Sequence, residues 1–126
     1  MATNQDQGVN VVDYTAGATL SSGDPIVLGT TAGGPVSVGI VLNDMVSGDV
    51  GAVAIRGTFN FAKVSTAVIV QGETVNWVAA SSSVEDNADT AATGDVEDFG
   101  IAMESADNGV TTVAVQLLPG NGILSA

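Results

Sequence analysis

A polar residue, a glycine, an acid and then an apolar run recur four times along the chain: SGDPIVLG from Ser22, SGDVGAVAI from Ser47, QGETVNWVA from Gln71 and TGDVEDFGIA from Thr93. Glycine supplies the positive φ that a tight turn demands, and a neighbouring Asp, Ser or Asn reinforces the turn through its side chain. Each phrase therefore reads as a turn that launches a strand, with its acid exposed. The glycines at 23, 48, 72 and 94 stand about two dozen residues apart, a spacing that suits hairpin units. The segments between them do not resemble one another, as the units of a solenoid would. The expectation is one compact all-β domain, a β-sandwich or small β-barrel built from hairpins.

Period-two alternation supports the strands. Val36, Val38, Ile40 and Leu42 share one face of PVSVGIVL, Phe59 and Phe61 one face of TFNF, and Val75 and Trp77 one face of TVNW. Phe99, Ile101 and Met103 precede a second alternating run in which Val113, Val115 and Leu117 interleave with Thr112, Ala114 and Gln116. Between the two runs, Asn108-Gly109 is the favoured pair for a two-residue hairpin turn, in which both positions take positive φ. FAKVSTAVIV, from Phe61, has room for a short helix, but its β-branched residues oppose one.

A length of 126 residues fits one domain with one core. Apolar residues make up 45% of the chain, enough for a folded protein despite its acidity, and they are mostly Val and Ala, which suits closely packed sheets. The expected organisation is a flexible N-terminal arm over 1–11, a β domain over 12–118 and a C-terminal tail over 119–126. A long acidic loop, AASSSVEDNADTAATGDVED from Ala79 to Asp98, interrupts the domain with little to bury. The tail ends in Ile123 and Leu124, an apolar pair that docks either on a neighbour or on its own domain. The N-terminus has neither the basic nor the apolar part of a signal peptide, and no apolar run approaches the roughly 18 residues of a membrane span. Synthesis in the cytoplasm as a soluble chain is expected.

Composition removes most chemistry. Without histidine or cysteine, neither a Ser-His-Asp nor a Cys-His arrangement can be assembled, nor a thiolate or imidazole metal site. Lys63 has no phosphate-binding glycine loop around it. A carboxylate pair for glycoside hydrolysis remains open on paper, yet one Trp, one Tyr and three Phe are a poor lining for a sugar cleft. Glu85, Asp86, Asp89, Asp95, Glu97 and Asp98 invite a calcium reading but lack the spacing of a calcium loop, so a solvated acidic loop is the simpler reading. The expectation is a protein that is not an enzyme, with no cofactor, no metal and no small-molecule substrate.

The net charge of −12, with only Arg56 and Lys63 positive, is opposed to nucleic-acid binding, which needs several cations on one face. Acidity keeps a concentrated protein soluble and steers it toward neutral or basic protein surfaces, or is only a solvated coat. Arg56 and Lys63 flank GTFNF, where they either pair with an acid of another subunit or simply cap a strand. Trp77 belongs either to the core, beside Val75, or to a contact surface.

The order of these pieces is more specific than any one of them. SGDPIVLG, VSVGIVLND, VAIRGTFNFAKV, VIVQGETVNWVAA, a threonine-containing loop and DFGIAMESADNGVTTVAVQLL together resemble the phage capsid cement, or head decoration, family, sometimes labelled recombinase-like. The likeness runs from about Val12 to Leu118 and is strongest from Gly57 to Trp77. The recombinase label finds no ATP-binding loop here. The resemblance implies a β-rich structural protein of the virion, commonly a homotrimer, that binds the major capsid protein on the outside of the expanded shell and ties neighbouring capsomers together. A trimeric tail, baseplate or fibre module is the alternative. The polar N-terminus, the acidic loop and the PGNGILSA tail depart from the family pattern. Expected partner contacts are the arm residues Thr3, Asn4, Gln5, Val9 and Val11, with Arg56 and Lys63; the arm is expected to order on contact by adding a strand to a capsid-protein edge.

Overall fold

The computed structural model describes residues 11–88 and 90–125, and among them there are ten strands and no helix. The strands are β1 (Val11–Thr15), β2 (Pro25–Leu28), β3 (Pro35–Val41), β4 (Val50–Ala54), β5 (Thr58–Ala62), β6 (Thr74–Val78), β7 (Ser83–Asp86), β8 (Val96–Ala102), β9 (Thr112–Leu117) and β10 (Gly122–Leu124). Every strand pairing is antiparallel, in one path β1-β4-β3-β10-β8-β6-β7, with β2 on β3 and β9 joining β8 to β5. A parallel bridge between Lys63 and Val84, with Val64 N–H donating to the Val84 carbonyl at 3.0 Å, brings the end of β5 against β7. The strands β5-β9-β8-β6-β7 therefore curl into a half-barrel, the all-β architecture expected from the alternation.

The repeated phrase is a repeated structure. Gly23, Gly48, Gly72 and Gly94 have φ of 97°, 94°, 92° and 91°, in each case at the third position of a four-residue turn. The turns are closed by Asp24 N–H to Ser21 O, Asp49 to Val46, Glu73 to Val70 and Asp95 to Ala92, at 2.9–3.1 Å. Each glycine N–H then donates across to a partner carbonyl (Val41, Ala16, Ala102 and Ser125), and that partner's N–H donates back to the carbonyl of the acid. All four partners stand at or just past the C-terminal end of a strand. The phrase thus locks the start of one strand to the end of its antiparallel neighbour: β2 to β3, β4 to β1, β6 to β8 and β8 to β10. In the aspartate cases the carboxylate also accepts the N–H of the first turn residue, Ser21, Val46 or Ala92. These acids belong to turn locks: Asp24 and Glu73 are half-buried and Asp95 is buried, which corrects the expectation of exposure for three of the four, while Asp49 is exposed as expected.

The main core lies inside the half-barrel. Phe61 meets Trp77 edge-on at 6.4 Å between ring centroids and Phe99 at 5.4 Å, and Val75, Val84, Val96, Val113, Val115 and Leu117 pack round them. Val36, Val38 and Ile40 join this cluster from β3, while Val41 faces a second cluster with Ala16, Met45 and Val53. Both faces of the end of β3 are therefore covered, and the alternating pattern stops at Leu42, which is exposed. Trp77 is core. Close strand approach fixes Gly100: a Cβ there would lie 2.5 Å from Val115 Cγ1 and 2.7 Å from the Gln116 carbonyl oxygen. That oxygen belongs to the paired strand and has no freedom to retreat. Gly100→Ala is expected to destabilise by about 1–3 kcal/mol, read as an earlier midpoint in urea with unchanged m.

The structure corrects some local expectations and decides between others. Val11, assigned to the arm, opens β1, because its backbone pairs with Ala54. Residues 79–98, expected as a loop, contain β7, whose Ser83 and Val84 are buried because β6 offers it a full antiparallel register. The tail docks on its own domain: β10 inserts between β3 and β8, and Gly122 fits there because a Cβ would lie 2.5 Å from Val96 Cγ1. Asn108-Gly109 lies in a turn closed by Val110 N–H to Asp107 O, but only Gly109 has positive φ. The connection from β8 to β9 spans 103–111 instead of two residues, because Ala106 is held away from β9 by its bridge to Ile69. Phe99 is buried with Val96 and Ala102, while Met103 is exposed. The cause is a bulge: between the pairs Val75–Gly100 and Trp77–Val96, β8 carries two more residues than β6 and Asp98 takes φ of 58°.

Candidate functional site

Lys63 follows Phe59 and Phe61 on the inward face of β5, so its side chain enters the core and is only 4% exposed. Its Nζ donates to the backbone carbonyls of Ala67 at 2.5 Å, Val64 at 2.7 Å and Ser65 at 3.4 Å. The ammonium pins the 64–67 turn, which Ala67 N–H closes onto Val64 O. This corrects its assignment as a partner-binding cation, since all three of its protons point at the chain's own carbonyls. Arg56 is exposed between β4 and β5, leaving it the one surface cation among the described residues. Val11 lies on β1, which among the described residues pairs only with β4. Thr3, Asn4, Gln5 and Val9 lie outside the described residues. Val11 stands opposite Ala54, two residues before Arg56, whereas the Lys63 side chain is turned into the core.

The acids divide by role. Asp95 accepts Ala79 N–H on one oxygen and Ala92 N–H on the other, and Asp98 Oδ1 accepts the Thr74 hydroxyl at 2.7 Å. Glu85 and Asp86 lie on β7 and Glu97 on β8. Among the described residues no three acidic side chains are placed to hold a metal ion. Beside the bulge, Asn76 is buried: its Oδ1 accepts Asp98 N–H at 3.0 Å and its Nδ2 has no partner. Sequence reading missed Asn76, whose only signal was a polar residue between two core positions of TVNW.

One cavity, of about 210 Å³, is lined by Thr19, Leu20, Ser21, Asp44, Met45, Val46 and Asp49. Its two carboxylates are engaged, Asp44 by Ser22 N–H and Asp49 by Val46 N–H. Such a lining offers neither a nucleophile with a base nor a cradle of cations. What the surface does offer is an uneven charge distribution: no acid occurs in 50–72 or 108–126, and β5 and β9, which fall in those stretches, pair with each other.

A comparison with curated proteins finds no match. The family model described as phage cement protein matches residues 5–117, which takes in all the strands from β1 to β9. The order of motifs from Val12 to Leu118 and the match to nearly the whole chain agree: the chain belongs to the phage cement protein family and is a capsid-associated structural protein of the virion.

Proposed function

We propose that the protein binds the outer surface of the mature capsid, contacts the major capsid protein, and stabilises the shell by bridging neighbouring capsomers, as a homotrimer and without catalytic activity. The observation that carries this reading is the family match over residues 5–117. The energetics are those of linkage: a ligand that binds only the mature shell stabilises it by RT ln(1 + [L]/Kd), about 2.7 kcal/mol per site at a hundredfold excess over Kd. Repetition over the lattice makes a modest contact decisive. The edge of β1 that no described strand covers supports self-association or strand addition, because an edge row of N–H and C=O groups is stabilised by a partner strand.

The test mixes purified protein with undecorated expanded heads, sediments them and counts bound copies. Saturation at a stoichiometry set by the icosahedral lattice, with heads more resistant to heat, is the expected result. Recovery on tails instead of heads would replace this reading with a tail, baseplate or fibre module. Deleting residues 2–11 is expected to weaken capture; undiminished capture would remove the arm from the contact.

A further inference from the structure

The β5–β9 ladder gives the protein one outward face free of acids. Its pairs are Thr58–Gln116, Asn60–Ala114 and Ala62–Thr112, and Ile101 of β8 extends it beside Gln116. The interleaved Phe61, Val113 and Val115 are buried, so the first set points outward. None of the fourteen acids lies on these positions. Acids stand at its borders: Glu104 and Asp107 belong to the β8–β9 connection, where the Glu104 carboxylate accepts the Ala114 N–H at 3.1 Å, and beyond Ile101 the Asp98 carboxylate accepts the hydroxyl of Thr74, the β6 partner of Ile101.

The two ends of the face differ. Arg56 precedes the Thr58–Gln116 end, where Leu117 N–H donates to Gly57 O. At the Ala62–Thr112 end, Lys63 N–H bonds Thr111 O and Gly109 N–H bonds Ser65 O, which sets the 65–70 strip beside the 107–110 turn. Val68, Val70, Met103 and Val110 cluster in that strip and the adjoining β8–β9 connection, four of the nine exposed large apolar side chains among the described residues. Desolvating carboxylates is costly, whereas neutral hydroxyls, amides and methyl groups are readily buried against a partner that supplies hydrogen bonds. A chain of charge −12 that packs densely on a shell therefore favours contact through its acid-free face, with its acids left toward solvent.

We infer that the outer face of β5 and β9 is the surface seated on the capsid shell, and that the shell presents to it an uncharged, hydrogen-bonding protein surface with a carboxylate opposite Arg56. This inference rests on the cement reading and adds the face to it. The experiment compares the wild-type protein, the N60D/Q116E variant and T30E, which adds one acid in the exposed β2–β3 loop, for capture by expanded heads. Light scattering of each free protein gives its mass, and circular dichroism checks that each is folded. The expected result is capture weakened at least tenfold by N60D/Q116E and unchanged by T30E, with the same free mass for all. Equal capture of all the proteins would overturn the assigned face and leave the cement reading standing. Wild-type protein that fails to bind heads would overturn both. A fall in the free mass of N60D/Q116E would assign the face to contact between copies and overturn its assignment to the shell.

Discussion

Replacing Lys63 by methionine is expected to lower the unfolding free energy by about 2–5 kcal/mol, since removing the donor strands buried carbonyls that each incur a desolvation penalty. Methionine nearly matches the aliphatic stem, so the loss would report the ammonium more than the packing. The carbonyls at stake are those of Val64, Ser65 and Ala67, on the turn that carries the chain from β5 toward β6. For a domain of this size the change corresponds to a fall in Tm of roughly 10 °C or more, measurable by calorimetry. A loss below about 1 kcal/mol would show that water or a local shift satisfies those carbonyls, and that the lysine is not what holds the turn.

Phe99→Ala is expected to cost about 3–5 kcal/mol, the range for truncating a fully buried aromatic. Phe99 is 1% exposed, stands 5.4 Å from Phe61 between ring centroids, and follows the β8 bulge at Asp98. Half of the remaining core side chains are valines, stiff at χ1, which fill a vacated volume poorly. Urea unfolding followed by Trp77 fluorescence provides the measurement. Trp77 packs on Phe61, which also touches Phe99, so the native emission is expected to shift as well. A cost near 1 kcal/mol would mean that the half-barrel collapses around the gap, contrary to the rigidity that a valine-rich core implies.

Lys63 also shows where sequence reading stopped short. It is two residues beyond Phe61, and the alternation that turned Phe59 and Phe61 inward turns Lys63 inward too. A positive charge overrode that periodicity in the reading, although a lysine that meets enough carbonyls is tolerated inside a protein. The acidic stretch from 79 to 98 was misread for a related reason. Its serines and acids lack an apolar run, yet Val84 and Val96 are buried where each pairs with Trp77 of β6, and Asp95 bonds back to the chain. The Asn108-Gly109 pair gave the position of a turn and a wrong length, since the length depended on a bridge from Ala106 to Ile69. In the proposed contact, Arg56 was legible as a surface cation, while the outward side chains of β5 and β9 were neutral residues with no signal of their own.

The sequence by itself determined the strands of this protein and the turns between them. Alternation fixes which side chains can share a face, and the glycines at 23, 48, 72 and 94 fix where the chain must take positive φ; both are requirements satisfied within a few residues. The order of those motifs carried the family. Tertiary structure alone decided that the C-terminal residues form β10 between β3 and β8, that Lys63 serves the core, and that β5 and β9 join two acid-free stretches into one face. Each of these depends on which distant backbone supplies a hydrogen-bond partner. Strand pairing is chosen by the burial and register of the whole sheet, so no local pattern in the chain encodes it.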